Sequence, residues 1–281
     1  MQDQVQQQYQ AALELFNTQN YKKAFVKLIE ISNQCSDDPE YLFLMSEILK
    51  IRSDFTAREK VLRTLCKISD KIQFQILYMK QLMQNKAVNQ ALDIGLQLHS
   101  KALTVSEQTE VFDMMSAIYI QENDFDGLTE IVAGYESAEI KTEQYYYSQS
   151  LLCLNSSNEP KALLHLRDAV LKNQNFDEAW VALALLHDKM GDSDLSMANL
   201  EKALDANPLN ASALKHYSKK SIQLGCVDKA VEKVDFYLKM YNFDVEMSSQ
   251  FASLLKTKNQ NDIVQRESDK LSYYFGHQIT L

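Results

Sequence analysis

The chain has 281 residues, 46% hydrophobic and 24% charged, enough apolar content for a core and too much for bulk disorder. Only 6 glycines and 3 prolines occur, which excludes turn-rich β folds and argues against phosphate-loop enzymes. Twenty-nine basic against 38 acidic residues give a net charge of −9, the wrong sign for a nucleic-acid binder or an anionic-membrane binder.

In chain order, Met1 to Gln10 is polar and Gln-rich, without an apolar stretch of signal-peptide length. No run of about 18 apolar residues follows, so no direct membrane insertion is expected. A pattern then repeats. Small or apolar residues that open a helix recur at Ala24, Ala57, Ala91, Leu128, Ala162, Ser196, Ala230 and Val264, at steps of 33, 34, 37, 34, 34, 34 and 34. Four and seven positions on from Ala24 come Leu28 and Ile31, and from Ala162 come Leu166 and Ala169. Positions i, i+4 and i+7 share one helix face, so each unit holds a helix with a buried stripe.

A preceding helix carries the complementary stripe, as in Tyr41, Leu44, Met45 and Ile48 or in Phe112, Met115, Ser116 and Tyr119. Small residues at Ala12, Ser116, Ser150, Ala184, Ser218 and Ala252 let the two helices of a hairpin approach closely. Asp38-Pro39 and Glu159-Pro160 place proline at helix starts. The three-residue insertion between Gln97 and Glu110 is expected to lengthen the turn after the third unit. Gly191 and Gly225 sit where a left-handed residue can end a helix, and Asp192 follows as an N-cap.

The unit Trp180, Leu183-Ala184, His187, Ser196, Leu200, Ala203 and Pro208 resembles the tetratricopeptide repeat over its whole length. Ala184, His187 and Ser196 stand where glycine, tyrosine and alanine are usual, and Gln8, Gln75 and Ser248 replace large apolar residues in outer units. The resemblance implies an all-α fold, a right-handed superhelical solenoid of helix hairpins. It would form one domain over 1–281, with units at 5–37, 38–71, 72–108, 109–142, 143–176, 177–210, 211–244 and 245–278. No room is left for a catalytic domain, and no appended domain is expected.

Chemical motifs are absent from the sequence. The five histidines never pair at metal-ligand spacing, and no Gly-rich phosphate loop, GxSxG or HExxH occurs, so no enzyme activity, metal or cofactor is expected. His187 reads as a core histidine, Cys153 as a small buried hydrophobe and Trp180 as buried packing. Four scattered cysteines without CxxC spacing suit a reducing cytoplasm.

The resemblance implies protein–protein interaction, with a protein or peptide partner held along the concave wall made by the first helices. By phase, the groove positions are Ile76 and Lys80, Asp113 and Ala117, Tyr147 and Leu151, Val181 and Leu185, then Lys215 and Lys219. Leu42 and Ser46 precede them, and Ser249 and Ser253 follow. The central row, from Ala117 to Leu185, is apolar and suits a bound apolar segment. Tight curvature, a dimer or the protein's own tail are the other covers for it. Lys215 and Lys219 would tune specificity for an acidic group, since exposed pairs contribute only about 0.2–1 kcal/mol. A scaffold, adaptor or assembly chaperone is the leading expectation; a permanent subunit of a larger assembly and a regulatory or peptide-sensing subunit of an enzyme are the alternatives. The aromatic segment Tyr273 to His277 either folds back on the last hairpin or serves as a docking peptide.

Overall fold

The computed structural model describes residues 2–281, with side chains from Gln4 onward; Met1 and the side chains of Gln2 and Asp3 in the polar N-terminal segment lie outside the described residues. Among the described residues the secondary structure is sixteen α-helices and no strand. The chain divides into two compact units, residues 1–140 and 141–281.

The first unit holds four hairpins: α1 (Gln2–Asn17) with α2 (Tyr21–Glu30), α3 (Pro39–Ile51) with α4 (Phe55–Ile68), α5 (Ile72–Gln84) with α6 (Val88–His99), and α7 (Val105–Glu122) with α8 (Phe125–Ser137). The second holds four more: α9 (Glu143–Asn155) with α10 (Glu159–Lys172), α11 (Asp177–Lys189) with α12 (Ser193–Ala206), α13 (Ala211–Leu224) with α14 (Asp228–Met240), and α15 (Val245–Thr257) with α16 (Asn261–Phe275). The hairpins follow one another in the order of the repeat, but α1 begins ahead of the expected start at residue 5 and α7 begins at Val105, inside the stretch expected for the third unit.

The hairpins close as tightly as the small residues require. Ala12, Ser116, Ser150, Ala184, Ser218 and Ala252 are all essentially inaccessible. Leu28, Ile48, Leu62 and Leu65 fill the core of the first two hairpins. Leu166, Ala169, Leu183 and Leu186 fill the α9–α12 region, and Leu200, Leu214, Tyr217 and Val234 continue the core toward α16. At Gly127 in α8 the Tyr119 ring lies so close that an added Cβ would stand 2.3 Å from it.

One residue with positive φ turns each hairpin: Gln19, Ser53, Lys86, Asn123, Ser157, Gly191, Gly225 and Asn259, with φ between 55° and 84°. In four of the turns an Asp or Asn follows directly and caps the second helix. Asp54 accepts from Ala57 N at 3.1 Å, Asp124 from Gly127 N at 2.9 Å, Asn158 from Lys161 N at 3.3 Å and Asp192 from Leu195 N at 3.1 Å. The expected roles of Gly191, Gly225 and Asp192 are thus met.

The insertion before α7 behaves differently from expectation. It extends α7 to 18 residues, where α9 and α11 have 13, instead of enlarging the turn. A capping box makes this extra helical turn stable: Thr104 Oγ1 accepts from Glu107 N at 3.3 Å while Glu107 accepts from Thr104 N at 2.9 Å. At the other end, residues 276–281 fold back on α16. Ile279 N donates to Ser272 Oγ at 2.7 Å and Leu281 N to Ser268 Oγ at 3.1 Å.

Candidate functional site

The second unit contains an open cavity of about 430 Å3. Tyr147, Leu151 and Leu154 of α9 form one wall, and Val181, Ala182, Leu185 and Leu186 of α11 form the other. Tyr147 and Leu151 stand one turn apart on α9, and Val181 and Leu185 do the same on α11, so one stripe of each helix faces the opening. Asn210 and Ser212, at the start of α13, close one end. Leu185 retains 41% exposure, large for a leucine amid apolar neighbours, whereas Val181 is buried.

Packing fixes the aromatic member of the wall. The Tyr147 ring meets Phe176 edge-on, with centroids 5.2 Å apart. Burial, reinforced by Glu178 and then Asp177, pushes its phenol up to about 12, so it is neutral across the physiological range. Two adjacent carboxyls behave oppositely. Asp177 is held below its ordinary value: burial acts upward, but hydrogen bonds from Glu178, Asn210 and Asn207 outweigh it. Asn207 and Asn210 donate to its Oδ2 at 2.7 and 2.8 Å. Glu178, on the cavity wall, is raised by burial and then by its hydrogen bond to Asp177. Lys189, at the far end of α11, is paired with Glu159 at 2.5 Å.

Of the residues singled out by phase, Tyr147, Leu151, Val181 and Leu185 come together in this cavity. Lys215 and Lys219 lie exposed on α13 and do not line it; Lys215 pairs with Glu246, and Lys219 has no hydrogen bond or ion pair to another described residue. Ile76, Lys80, Asp113 and Ala117 belong to the first unit. Ile76 is 3% exposed and therefore core, because α5 is covered on that side. Lys80 pairs with Glu110, Asp113 accepts from Tyr135 Oη at 2.6 Å, and Ala117 is half-buried. Leu42 and Ser46 are buried too, while Ser249 and Ser253 are exposed.

His187 is buried as expected and Cys153 is half-buried against the α9–α12 core. Trp180 departs from expectation: it is only half-buried. Its Nε1 donates to Gln174 O at 2.8 Å, and the Lys202 ammonium lies 4.3 Å over its ring. Phase alone missed Leu154, Ala182 and Glu178. The last of these has a readable signal, since Ser212 stands 34 residues on and also lines the cavity. Among the described residues, no group of three or more His, Cys, Asp or Glu could hold a metal ion, and no helix is long and apolar enough to cross a membrane.

Stacked antiparallel hairpins with an open apolar cavity between successive first helices define a helical-repeat protein. The family model of the tetratricopeptide repeat matches residues 177–208, the α11–α12 hairpin with Trp180. Residues 177–208 are thus a tetratricopeptide repeat, set in a chain built of helix hairpins throughout its described residues. Its fold is similar to a chain in the crystal structure of the APC/C hetero-tetramer Cut9–Hcn1, with a TM-score of 0.63 at 10% identity over 87% of this chain. The chain spans 48% of the length of that one. A human IFIT1 dimer with PPP-AAAA aligns over 91% of this chain and 68% of its own, with a TM-score of 0.47 and 15% identity. No curated protein sequence matches.

Proposed function

We propose that this chain is a non-catalytic interaction scaffold that holds an apolar segment of a partner protein between α9 and α11. The observation that carries this reading is Leu185, exposed in the cavity that it lines with Tyr147, Leu151 and Val181. Water against such a wall is unfavourable; full burial of a fully exposed large side chain contributes about 1.5–3 kcal/mol, and the partly covered Tyr147, Leu151 and Leu185 each have a fraction of that left to gain. Association removes roughly 4–15 kcal/mol, so a short peptide held here alone binds at about micromolar strength. A tighter complex requires a folded partner that touches further hairpins. Residues 143–189 therefore supply the recognition surface of an adaptor or assembly chaperone. The four cysteines are free thiols, in keeping with a reducing cytoplasmic setting.

Selection of binding peptides from a random library, followed by calorimetry, tests this reading. Peptides selected on the wild type should carry clustered large apolar residues and lose at least about tenfold in affinity for the Tyr147→Ala, Leu185→Asp double variant. That variant must give a cooperative melting curve, with a midpoint lowered by loss of the Tyr147–Phe176 contact. Selected peptides that bind the folded double variant undiminished would overturn the assignment.

A further inference from the structure

A separate cavity of about 280 Å3 lies within residues 1–140, and its wall is aromatic. Tyr9 and Phe16 of α1, Phe43 of α3 and Phe74 of α5 line it. The Phe43 and Phe74 rings are 5.6 Å apart at 35°, and Phe43 keeps 38% exposure. Two carboxylates share this wall. Glu40 and Glu47 are two turns apart on α3, on the same stripe as Phe43.

Aromatic faces carry negative electrostatic potential and attract cations, more strongly where water is displaced. A purely apolar ligand would gain from the rings but would also strip water from carboxylates it cannot satisfy. An ammonium group satisfies both. The charges around the cavity sharpen the assignment. Glu40 has no ion pair with a described residue, and Glu47 meets only the Arg58 Nη2 at 3.4 Å. Asp38 is engaged in capping α3, accepting from Glu40 N and Tyr41 N at 2.9 and 3.1 Å. Burial, then Glu40 and Asp38, raises the Tyr9 phenol, as expected where the local potential is negative. Among the described residues, the one cation on the wall is Lys71, whose Nζ lies 5.5 Å over the Phe74 ring, and it shows the mode of contact; no other described ammonium stands over Phe43, Phe16 or Tyr9.

We infer that this cavity is a cation-recognition site for a lysine side chain of a partner, in its free or methylated form. Its volume falls just below the range of about 300–1,000 Å3 typical of drug-sized ligands, which suits a single side chain.

The test uses the full chain and blocked tripeptides, acetyl-Gly-Xaa-Gly-amide, in which Xaa is lysine, trimethyllysine or the uncharged analogue norleucine. Binding is read from chemical-shift changes of the Phe43 and Phe74 rings. Both cationic peptides should bind at least about threefold more tightly than the norleucine peptide. Glu40→Gln should weaken the cationic peptides alone, and Lys71→Gln should strengthen them by removing a resident like charge. Equal binding of lysine and norleucine peptides, or no binding of any peptide at millimolar concentration, would overturn the inference. So would an unchanged affinity in Glu40→Gln, a surface substitution that leaves the core intact. These outcomes are independent of the α9–α11 cavity, which none of the variants touches.

Discussion

The two units join their hairpins with different polar chemistry. In residues 1–140, α3, α4 and α5 meet around a buried guanidinium. Arg58 donates from Nε to the Ser46 backbone oxygen at 3.2 Å and from Nη1 to Gln81 Oε1 at 2.8 Å. Gln81 passes a bond to Asn85 at 2.9 Å, and Asn85 another to Glu59 at 2.7 Å. In residues 141–281 the link is an asparagine that reaches back 30 residues to a carboxylate at the start of a first helix. Asn173 donates to Glu143 at 2.9 Å and Asn207 to Asp177 at 2.7 Å. The first solution occurs at one junction, whereas the second recurs with the repeat. One polar seam is specific to its neighbours, and the other is a property of the unit.

The largest effect should come from breaking the specific seam. Arg58→Ala strips the buried Gln81 Oε1 of its donor and leaves the space of the guanidinium unfilled in the core, and should cost about 3 kcal/mol or more. Hydrogen exchange would locate the loss in α3 to α5; protection lost evenly over all sixteen helices would contradict a junction-specific role. Gly127→Ala comes next. The Tyr119 ring must move to admit the methyl group, and overpacking of this kind costs about 1–3 kcal/mol, measurable by urea denaturation. A loss under about 0.5 kcal/mol would mean that the ring repacks freely.

The recurring seam should respond more mildly and with a pH signature. Asp177→Ala strands two asparagine donors and should cost about 1–2 kcal/mol at neutral pH. Because Asp177 is held below its ordinary value when folded, its contribution is complete above that value and fades as pH falls through the folded value. Glu178 has the opposite sign. Its folded value is raised, so its charge is a liability at neutral pH that disappears as the group takes up a proton. Glu178→Gln should therefore raise the melting temperature at pH 7 and leave it unchanged where the wild-type side chain is already protonated. Equal effects at both pH values would sink this account of the pair.

The contrast between the seams also explains what the sequence could disclose. Spacing of Ala24 through Val264 exposed eight hairpins because each unit must bury the same stripe against the next. The α9–α11 cavity was half legible for the same reason: Tyr147, Leu151, Val181 and Leu185 share a phase. Ile76 shares that phase as well but is buried, since phase gives a direction and not what lies in that direction. Trp180 was misread because the Lys202 and Gln174 contacts that hold it half-open depend on the next helix and the preceding loop. Arg58 gave no signal, as a lone arginine in a helix looks like any solvated charge. The aromatic cavity was equally hidden, because Tyr9, Phe43 and Phe74 come from three hairpins and do not repeat.

The hairpin turns carry a consequence for local opening. Six of the eight left-handed positions are filled by exposed residues with a Cβ: Gln19, Ser53, Lys86, Asn123, Ser157 and Asn259. A side chain in that conformation costs about 1 kcal/mol relative to glycine, least for asparagine. Each such turn is a slight brake on closing its own hairpin, applied locally and removable one site at a time. A series from Ser53→Gly to Lys86→Gly should slow amide exchange in the flanking helices stepwise, by up to about fivefold per turn. The chain can therefore set how readily each hairpin breathes without altering a single residue of its core or its binding walls.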